Sequence, residues 1–147
     1  MKSTRLKSSE ILLKLTKLLM KNGKKKKILK RVTSSLQKFS QNKEAYSGFC
    51  MLTSMFYKIK PLLETVKVRK GSKYYDVPYY IKPQRSISIL LRWSVKSIKK
   101  HLEKSLEKKI QREFKELSLS SGSTFKESKQ LRQKVATNIM FSHYRWK

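Results

Sequence analysis

The side chains of this chain that could do chemistry are overwhelmingly cationic. Lysine and arginine total 37 residues against 9 aspartates and glutamates, which gives a formal net charge of +28 over 147 residues. A small soluble domain needs only about 2–8 units of net charge to stay in solution. Because lysine and arginine neutralise phosphates, such an excess indicates a polyanion as the normal partner.

Catalytic patterns are missing from the sequence. The two histidines, His101 and His143, have no spacing that supports a nucleophile, a base and an acid acting together, and the four glycines are too scattered for a phosphate loop. The single cysteine, Cys50, excludes an internal disulfide and a cysteine-based zinc site. Its place in an apolar helical pattern predicts a buried side chain. We therefore expect no enzyme, no metal site and no cofactor.

Three basic clusters interleaved with aromatic residues are candidates for phosphate binding. The first, Lys24, Lys25, Lys26 and Lys27, stands where a helix is predicted to begin. Four cations there oppose the helix dipole, so they are better explained as phosphate contacts assisted by the helix-end amides. The second is RKGSK at 69–73, followed by Tyr74 and Tyr75, and the third is His143-Tyr144-Arg145-Trp146. Aromatic rings can stack on exposed bases, but cross-strand packing explains the two tyrosines equally well.

A β-hairpin is predicted to carry the second cluster. Residues alternate in polarity on both sides of Gly71-Ser72, a two-residue loop that suits a type II′ turn. That turn sets a register with three favourable pairings. They are Val68 with Tyr75, Val66 with Val77, and Lys67 with Asp76. A two-stranded ribbon is only marginally stable alone, and this tip has no apolar anchor, so the ribbon is predicted to work within a complex.

The helix after the hairpin is predicted to begin at Pro83. Its apolar face holds Ile87, Leu91, Val95 and Ile98. Its opposite face holds Arg85, Arg92, Lys96 and Lys99. A charged stripe is usually a solvated face, but this one contains no acid to pair with its cations, so phosphate binding is an equal alternative.

Apolar periodicity predicts five further helices. Their inward positions, in chain order, are Ile11, Leu12, Leu15, Leu18 and Leu19; Ile28, Leu29, Val32, Leu36 and Phe39; Ala45, Phe49, Leu52, Phe56 and Ile59; Leu106, Ile110, Phe114 and Leu117; and Leu131, Val135, Ile139 and Phe141. A Ser/Gly loop at 117–124 precedes the last helix. Glutamates beside lysines are expected to form helix-stabilising pairs. They are Glu103, Glu107, Glu113 and Glu116.

The predicted architecture is mainly α, a single domain over 1–147. It is a six-helix bundle with one projecting two-stranded antiparallel hairpin at about 62–82, between helices 3 and 4. No apolar run approaches the ~20 residues that span a bilayer, and lysines interrupt the N-terminal apolar run, so a retained amphipathic helix is expected there rather than a targeting peptide. A membrane-surface role would leave the hairpin unexplained.

Four stretches resemble the small-subunit ribosomal protein seven family. They are LLMKNGKKKK, IKPLLETVKVRKGSKYYDVP, IKPQRSISILLRWSVKSIKK and NIMFSHYRW. The resemblance covers nearly the whole chain in the right order. It implies six helices plus an extended arm, binding to the 3′ major domain of the small-subunit ribosomal RNA, and a part in starting assembly of the subunit head.

The resemblance also implies partners and site residues. The arm would lie near the exit-site transfer RNA and the path of the departing messenger, and neighbouring small-subunit proteins would be further partners, with no homo-oligomer. The implied arm contacts are Lys67, Arg69, Lys70 and Lys73. The implied ribosomal RNA contacts or their supports are the lysines at 24–27, Arg85, Arg92, His143, Arg145 and Trp146. Lys96 and Lys99 are added as candidate RNA contacts because they share the charged stripe of Arg85 and Arg92.

The composition of the chain points to a compartment. Lysine, isoleucine, serine and tyrosine replace residues that family members often use, a bias typical of AT-rich organellar genomes. It predicts a mitochondrial location, with a plastid or the bacterial cytoplasm as alternatives. The arm tip is also about one residue shorter than the bacterial form.

A DNA-bending architectural protein is the alternative function, but it requires an apolar wedge at the arm tip, where this chain has RKGSK.

Overall fold

The computed structural model describes residues 8–40 and 45–145. Six α-helices and one hairpin appear in it, with the hairpin between the third and fourth helices, which confirms the predicted fold class. The elements are α1 Ser8–Leu19, α2 Lys25–Ser40, α3 Ala45–Ile59, β1 Leu63–Lys70, β2 Lys73–Tyr80, α4 Pro83–Lys100, α5 Leu106–Ser118, α6 Gly122–Thr137 and a C-terminal 3₁₀ helix Ile139–Arg145. None of the helices described here is both long and apolar enough to cross a membrane.

Helix α4 lies at the centre of the bundle and contacts α1, α3, α5 and α6. Its inward face is the predicted one, with Ile87, Leu91, Val95 and Ile98 all buried, and Leu90 is buried beside them. Burying one such side chain contributes about 1.5–3 kcal/mol, so this face holds the bundle together. The cationic stripe is thereby turned outward.

The hairpin has the predicted register. Val66 pairs with Val77, Lys67 with Asp76 and Val68 with Tyr75. Gly71 has a φ of +64° while Ser72 keeps a negative φ, and a positive φ at the first loop residue alone is what a type II′ turn requires. The short loop therefore fixes which side chains face the body of the protein.

Asn22 and Gly23 adopt the predicted left-handed conformation, with φ values of +51° and +70°. Helix α1 ends earlier than predicted, at Leu19. The two residues therefore form the turn between α1 and α2, where the Lys24 N–H donates a 3.2 Å hydrogen bond to the carbonyl of Lys21, rather than a helix C-cap. The chain then turns directly into α2, whose first residues are lysines. The predicted inward residues Ile28, Val32 and Leu36 are buried.

The C-terminal segment differs from the prediction. Helix α6 ends at Thr137, and residues 139–145 form a 3₁₀ helix rather than a continuation of α6. Ile139 is therefore 63% exposed instead of buried, because the change from 3.6 to three residues per turn rotates later side chains off the inward face. Phe141 packs against Tyr75 of the ribbon, with 5.1 Å between ring centroids.

Two apolar residues predicted to be buried are exposed. Cys50 is exposed, since Leu52 and Phe56 hold the inward face of α3 and a residue two positions before Leu52 is about 200° away around the helix. Leu18 is 38% exposed at the edge of the α1 stripe. The loop between α5 and α6 is also shorter than predicted and spans only 119–121.

Glu113 is the clearest correction among the acids. It was expected to form a surface pair, but it is 1% exposed and its carboxylate accepts a 2.6 Å hydrogen bond from Thr124 Oγ1. His101 Nε2 lies 3.2 Å from its other oxygen. The end of α4, the middle of α5 and the start of α6 therefore meet at one buried carboxylate.

The other three glutamates are paired at the surface. Glu116 forms the predicted i, i+4 pair with Arg112 at 3.1 Å. Glu103 lies before α5 and reaches the same arginine at 3.6 Å. Glu107 bridges between helices to Lys38 of α2 at 3.8 Å. Only Glu116 thus forms the pair within one helix that the sequence predicted.

Replacing Glu113 with alanine is expected to lower the free energy of unfolding by about 3 kcal/mol, because it leaves the Thr124 hydroxyl and His101 without their buried partner. Urea denaturation measures the change. The matched control is Glu103→Ala, which removes an exposed pair and is expected to cost less than about 1 kcal/mol. Equal effects of the two substitutions would contradict a structural role for the buried carboxylate.

Candidate nucleic-acid interface

An open groove of about 600 Å³ lies where four helices come together. It is lined by the end of α1, the start of α2, the end of α4 and the start of α5. We call it the cationic groove. Its rim is formed by Lys21, Lys24, Lys27, Arg31, Lys99, Lys104 and Lys109. Its floor is formed by Leu19, Ile28, Ile98 and Leu106. Of the described residues that line it, none is acidic, so the groove presents positive charge around an apolar floor.

Two helices begin beside this groove. Helix α2 starts at Lys25 and α5 at Leu106, and the side chain of Ser105 makes no capping hydrogen bond. The amides at a helix start attract anions through the helix dipole. Rim side chains and helix starts therefore present charge of one sign, and a bound phosphate would relieve their mutual repulsion.

The predicted lysine cluster divides between the groove and the adjoining surface. Lys24 and Lys27 line the groove, and the exposed Lys25 and Lys26 lie on the same turn of α2. Lys99, predicted as part of the α4 stripe, reaches the groove from the other side. The structure thus brings two separately predicted clusters together at one site.

Two cations of the α4 stripe are already paired. Arg85 Nε lies 2.9 and 3.0 Å from the two carboxylate oxygens of Glu64, and Lys96 Nζ lies 2.8 Å from Glu127 Oε1. The expectation that the stripe lacks acidic partners was therefore wrong, because β1 and α6 supply them. Arg92 and Lys99 are exposed and have no carboxylate partner in the part of the chain that the structure describes.

The four arm cations differ in whether they contact other groups of the protein. Lys67 and Lys73 are exposed. Arg69 Nε donates a 3.1 Å hydrogen bond to the carbonyl of Gly71, and Lys70 Nζ lies 4.3 Å from the ring centroid of Tyr144. Arg69 thus stabilises the turn, and Lys70 contacts the C-terminal segment. Lys67 and Lys73 are therefore the arm cations that are most available to bind a partner.

The C-terminal segment supports the ribbon. Tyr144 and Phe141 each lie 5.1 Å from the Tyr75 ring. The Tyr79 hydroxyl donates a 3.3 Å hydrogen bond to the carbonyl of Arg145. The apolar anchor that the sequence did not reveal is therefore supplied by residues 139–145.

The predicted C-terminal contacts lie against this support. The Arg145 guanidinium is 5.1 Å from the Tyr80 ring and 5.6 Å from the Tyr79 ring. His143 Nδ1 lies 2.8 Å from the carbonyl oxygen of Met140. Trp146 lies outside the described residues. Arg145 is consequently placed as a support of the arm.

A second link fixes the ribbon to the body. The Asp76 carboxylate, which faces Lys67 across the strands, lies 2.8 Å from Lys134 Nζ of α6. Tyr74 lies on the face of β2 opposite to Tyr75 and is 67% exposed. Of the two tyrosines, Tyr75 therefore packs within the protein, while Tyr74 is free to stack on a base.

Comparison with known proteins decides the family. Residues 1–138 match the family model described as "Ribosomal protein S7p/S5e". The chain belongs to this family. It is 29% identical over 138 residues to the small ribosomal subunit protein uS7 of Sulfurovum sp., covering 94% of this chain and 88% of that protein. The uS7 proteins of onion yellows phytoplasma and Leptospira biflexa are 31% and 29% identical, each covering 95% of this chain and 88% of the relative.

Membership in the S7p/S5e family confirms the resemblance found in the sequence. It indicates a structural role in a ribosome, in a family that is generally not enzymatic. The relatives compared are bacterial.

One further cluster has the composition of a metal site. Ligand atoms of His101, Glu113 and Glu116 lie within 4.8 Å of one another. Glu113 is engaged by Thr124 and His101, and Glu116 by Arg112. These contacts explain the cluster as a structural hydrogen-bond network between α4, α5 and α6.

Four cations of the groove were missed by the sequence analysis. They are Lys21, Arg31, Lys104 and Lys109. Each stands within or beside a predicted helix, where a solvated lysine or arginine is ordinary. Only the packing of α2 against α5 brings them to one place, and no local pattern signals that contact.

Proposed function

We propose that this protein is a structural component of the small ribosomal subunit. It binds the 3′ major domain of the small-subunit ribosomal RNA and helps to start assembly of the subunit head. Membership in the S7p/S5e family supports the ribosomal role. The observation that carries the RNA-binding role is the cationic groove, where seven cations surround a site with no acid among its described lining residues.

The body and the arm have separate tasks in this proposal. The groove and the exposed Arg92 are carried by packed helices, so they can hold RNA in a fixed position. The arm exposes Lys67, Lys73 and Tyr74 on a two-stranded ribbon, which suits contact with transient partners. These partners are the exit-site transfer RNA and the departing messenger, while neighbouring small-subunit proteins pack around the body.

The alternative function as a DNA-bending protein has no support at the arm tip. Such proteins insert an apolar wedge between bases. Residues 69–73 of this chain are all exposed and carry no apolar side chain. The tip can touch a phosphate backbone, but it offers nothing to insert between bases.

The compartment is a second proposal. The bias toward lysine, isoleucine, serine and tyrosine supports a mitochondrial small subunit. The bacterial relatives support the bacterial cytoplasm as an alternative, and a plastid is the other alternative. Immunoblotting of isolated mitochondria and isolated plastids separates the two organelles, and a bacterial source organism would place the protein in the bacterial cytoplasm.

Sedimentation tests the proposed function. We expect the protein to co-sediment with the small ribosomal subunit in a sucrose gradient, with little left in the free pool. Raising the salt should release it steeply, because several phosphates are neutralised together. Recovery mainly with bulk DNA or with membranes would contradict the proposal.

A further inference from the structure

We propose that the cationic groove accepts one unpaired nucleotide of the ribosomal RNA, with its phosphates on the rim and its base against the apolar floor. This inference rests on the proposed function and adds the form of RNA that the site takes. It requires a site that combines charge with an apolar surface, and the groove is such a site.

The apolar floor indicates that the groove takes a base as well as phosphates. Contact with the backbone of a regular RNA helix needs cations and helix-end amides, and it gains nothing from apolar side chains. Yet Ile28 and Leu106 lie between the lysines, and Leu106 is only half-buried although it packs against the core. The bases of an A-form helix are turned inward, whereas an unpaired base can be splayed out and packed against a protein surface. The floor therefore matches an unpaired base.

The size of the groove agrees with a single nucleotide. Its volume of about 600 Å³ falls within the ~300–1,000 Å³ of sites that enclose small molecules. A double helix is too wide to enter such a space and would only lie across the rim. A single extruded nucleotide fits within it while the flanking helices stay outside.

The arrangement of charge suits the two phosphates that flank such a nucleotide. Lys24 and Lys27 lie at the start of α2, whereas Lys104 and Lys109 lie at the start of α5 on the opposite wall. Two cationic walls on either side of an apolar floor can hold one phosphate each. The floor contains no aromatic ring and no polar side chain, so we expect the site to select an unpaired position rather than a particular base.

A substitution that fills the floor tests the inference. Leu106→Trp occupies the groove and leaves every rim cation in place. The matched control is Leu119→Trp, at a residue just past the other end of α5 that is 76% exposed. Each protein is bound to the 3′ major-domain RNA. Ribose reactivity is mapped along the RNA, and the dissociation constant is measured by filter binding at several salt concentrations.

We expect the unaltered protein to protect an unpaired nucleotide that Leu106→Trp leaves reactive. Leu106→Trp should bind about 10-fold more weakly, the range for losing one base contact, with an unchanged salt slope. Leu119→Trp should behave like the unaltered protein. Deleting that nucleotide from the RNA should weaken the unaltered protein by a similar factor and should cost Leu106→Trp nothing further.

The other outcomes separate the two proposals. If Leu106→Trp is folded by circular dichroism and keeps both the affinity and the whole footprint, the nucleotide site is refuted and the ribosomal role stands. If the unaltered protein binds 3′ major-domain RNA no better than unrelated RNA of equal length, the proposed function itself fails.

A second variant covers the case in which Leu106→Trp does not fold. The photoreactive amino acid p-benzoylphenylalanine replaces Lys109 on the rim, and the crosslinked nucleotides are sequenced. Crosslinks concentrated at one unpaired nucleotide support the inference. Crosslinks spread over both strands of a paired segment overturn it.

Discussion

We expect the affinity for the 3′ major-domain RNA to fall by about 100-fold at physiological salt when glutamine replaces Lys24, Lys27, Lys99 and Lys104 together. These residues are four of the seven cations of the groove. Each lost phosphate contact also removes the release of about one counterion, so the slope of log affinity against log salt becomes shallower by about 3–4 units. Filter binding over a range of salt concentrations measures both quantities.

The control removes the same charge elsewhere. Lys58, Lys115, Lys126 and Lys129 are exposed and lie outside the groove, and glutamine at all four positions gives the same net charge as the groove variant. We expect a loss of less than about 3-fold, because exposed charges beyond the Debye length of about 8 Å are largely screened. Equal losses from the two quadruple variants would show that bulk charge, and not the groove, binds the RNA.

The parts of the fold that the sequence predicted well are those that local chemistry determines. Gly71 accepts the positive φ of a two-residue turn, and that turn sets every cross-strand pair of the ribbon. Pro83 marks the start of α4, and the apolar period along α4 identifies its inward face. Each inference needs only residues close together in the chain, so the single sequence is sufficient.

The parts that it predicted poorly depend on residues far apart in the chain. Arg85 finds its acid on β1, 21 residues away. The groove joins residues near position 24 to residues near position 104. Helix periodicity shows which face of a helix is buried, but it does not show which two helices meet. The ion pairs and the groove therefore became visible only in the folded structure.

The C-terminal residues show that a sequence pattern does not identify the stacking partner of a side chain. A tyrosine next to an arginine predicts stacking on RNA bases, and the same pair predicts stacking on protein rings. The sequence left Arg145 as either an RNA contact or the support of one, and the structure places its guanidinium over Tyr79 and Tyr80. Composition identifies a surface that stacks, and only the fold decides what it stacks on.

Removing the arm is expected to leave subunit assembly largely intact and to impair translation. A short Gly-Ser link replaces residues 66–77, which leaves the Glu64–Arg85 pair in the remaining chain. Because this change uncovers Phe141 and Tyr144, both are replaced by serine in the same variant. Incorporation is measured by quantitative immunoblotting of gradient-purified small subunits, and translation by reading-frame errors and exit-site occupancy.

The comparison variant alters the body. Arg92→Glu with Lys99→Glu changes two exposed cations that have no acidic partner among the described residues, so no internal ion pair is broken. It is expected to reduce RNA affinity by about 100-fold, since each reversal removes a phosphate contact and adds repulsion, and so to block incorporation. The arm variant should incorporate normally, because the helices that carry the groove are unchanged. If the arm variant were excluded from subunits as completely as the body variant, anchoring would depend on the ribbon and the separation of tasks would be wrong.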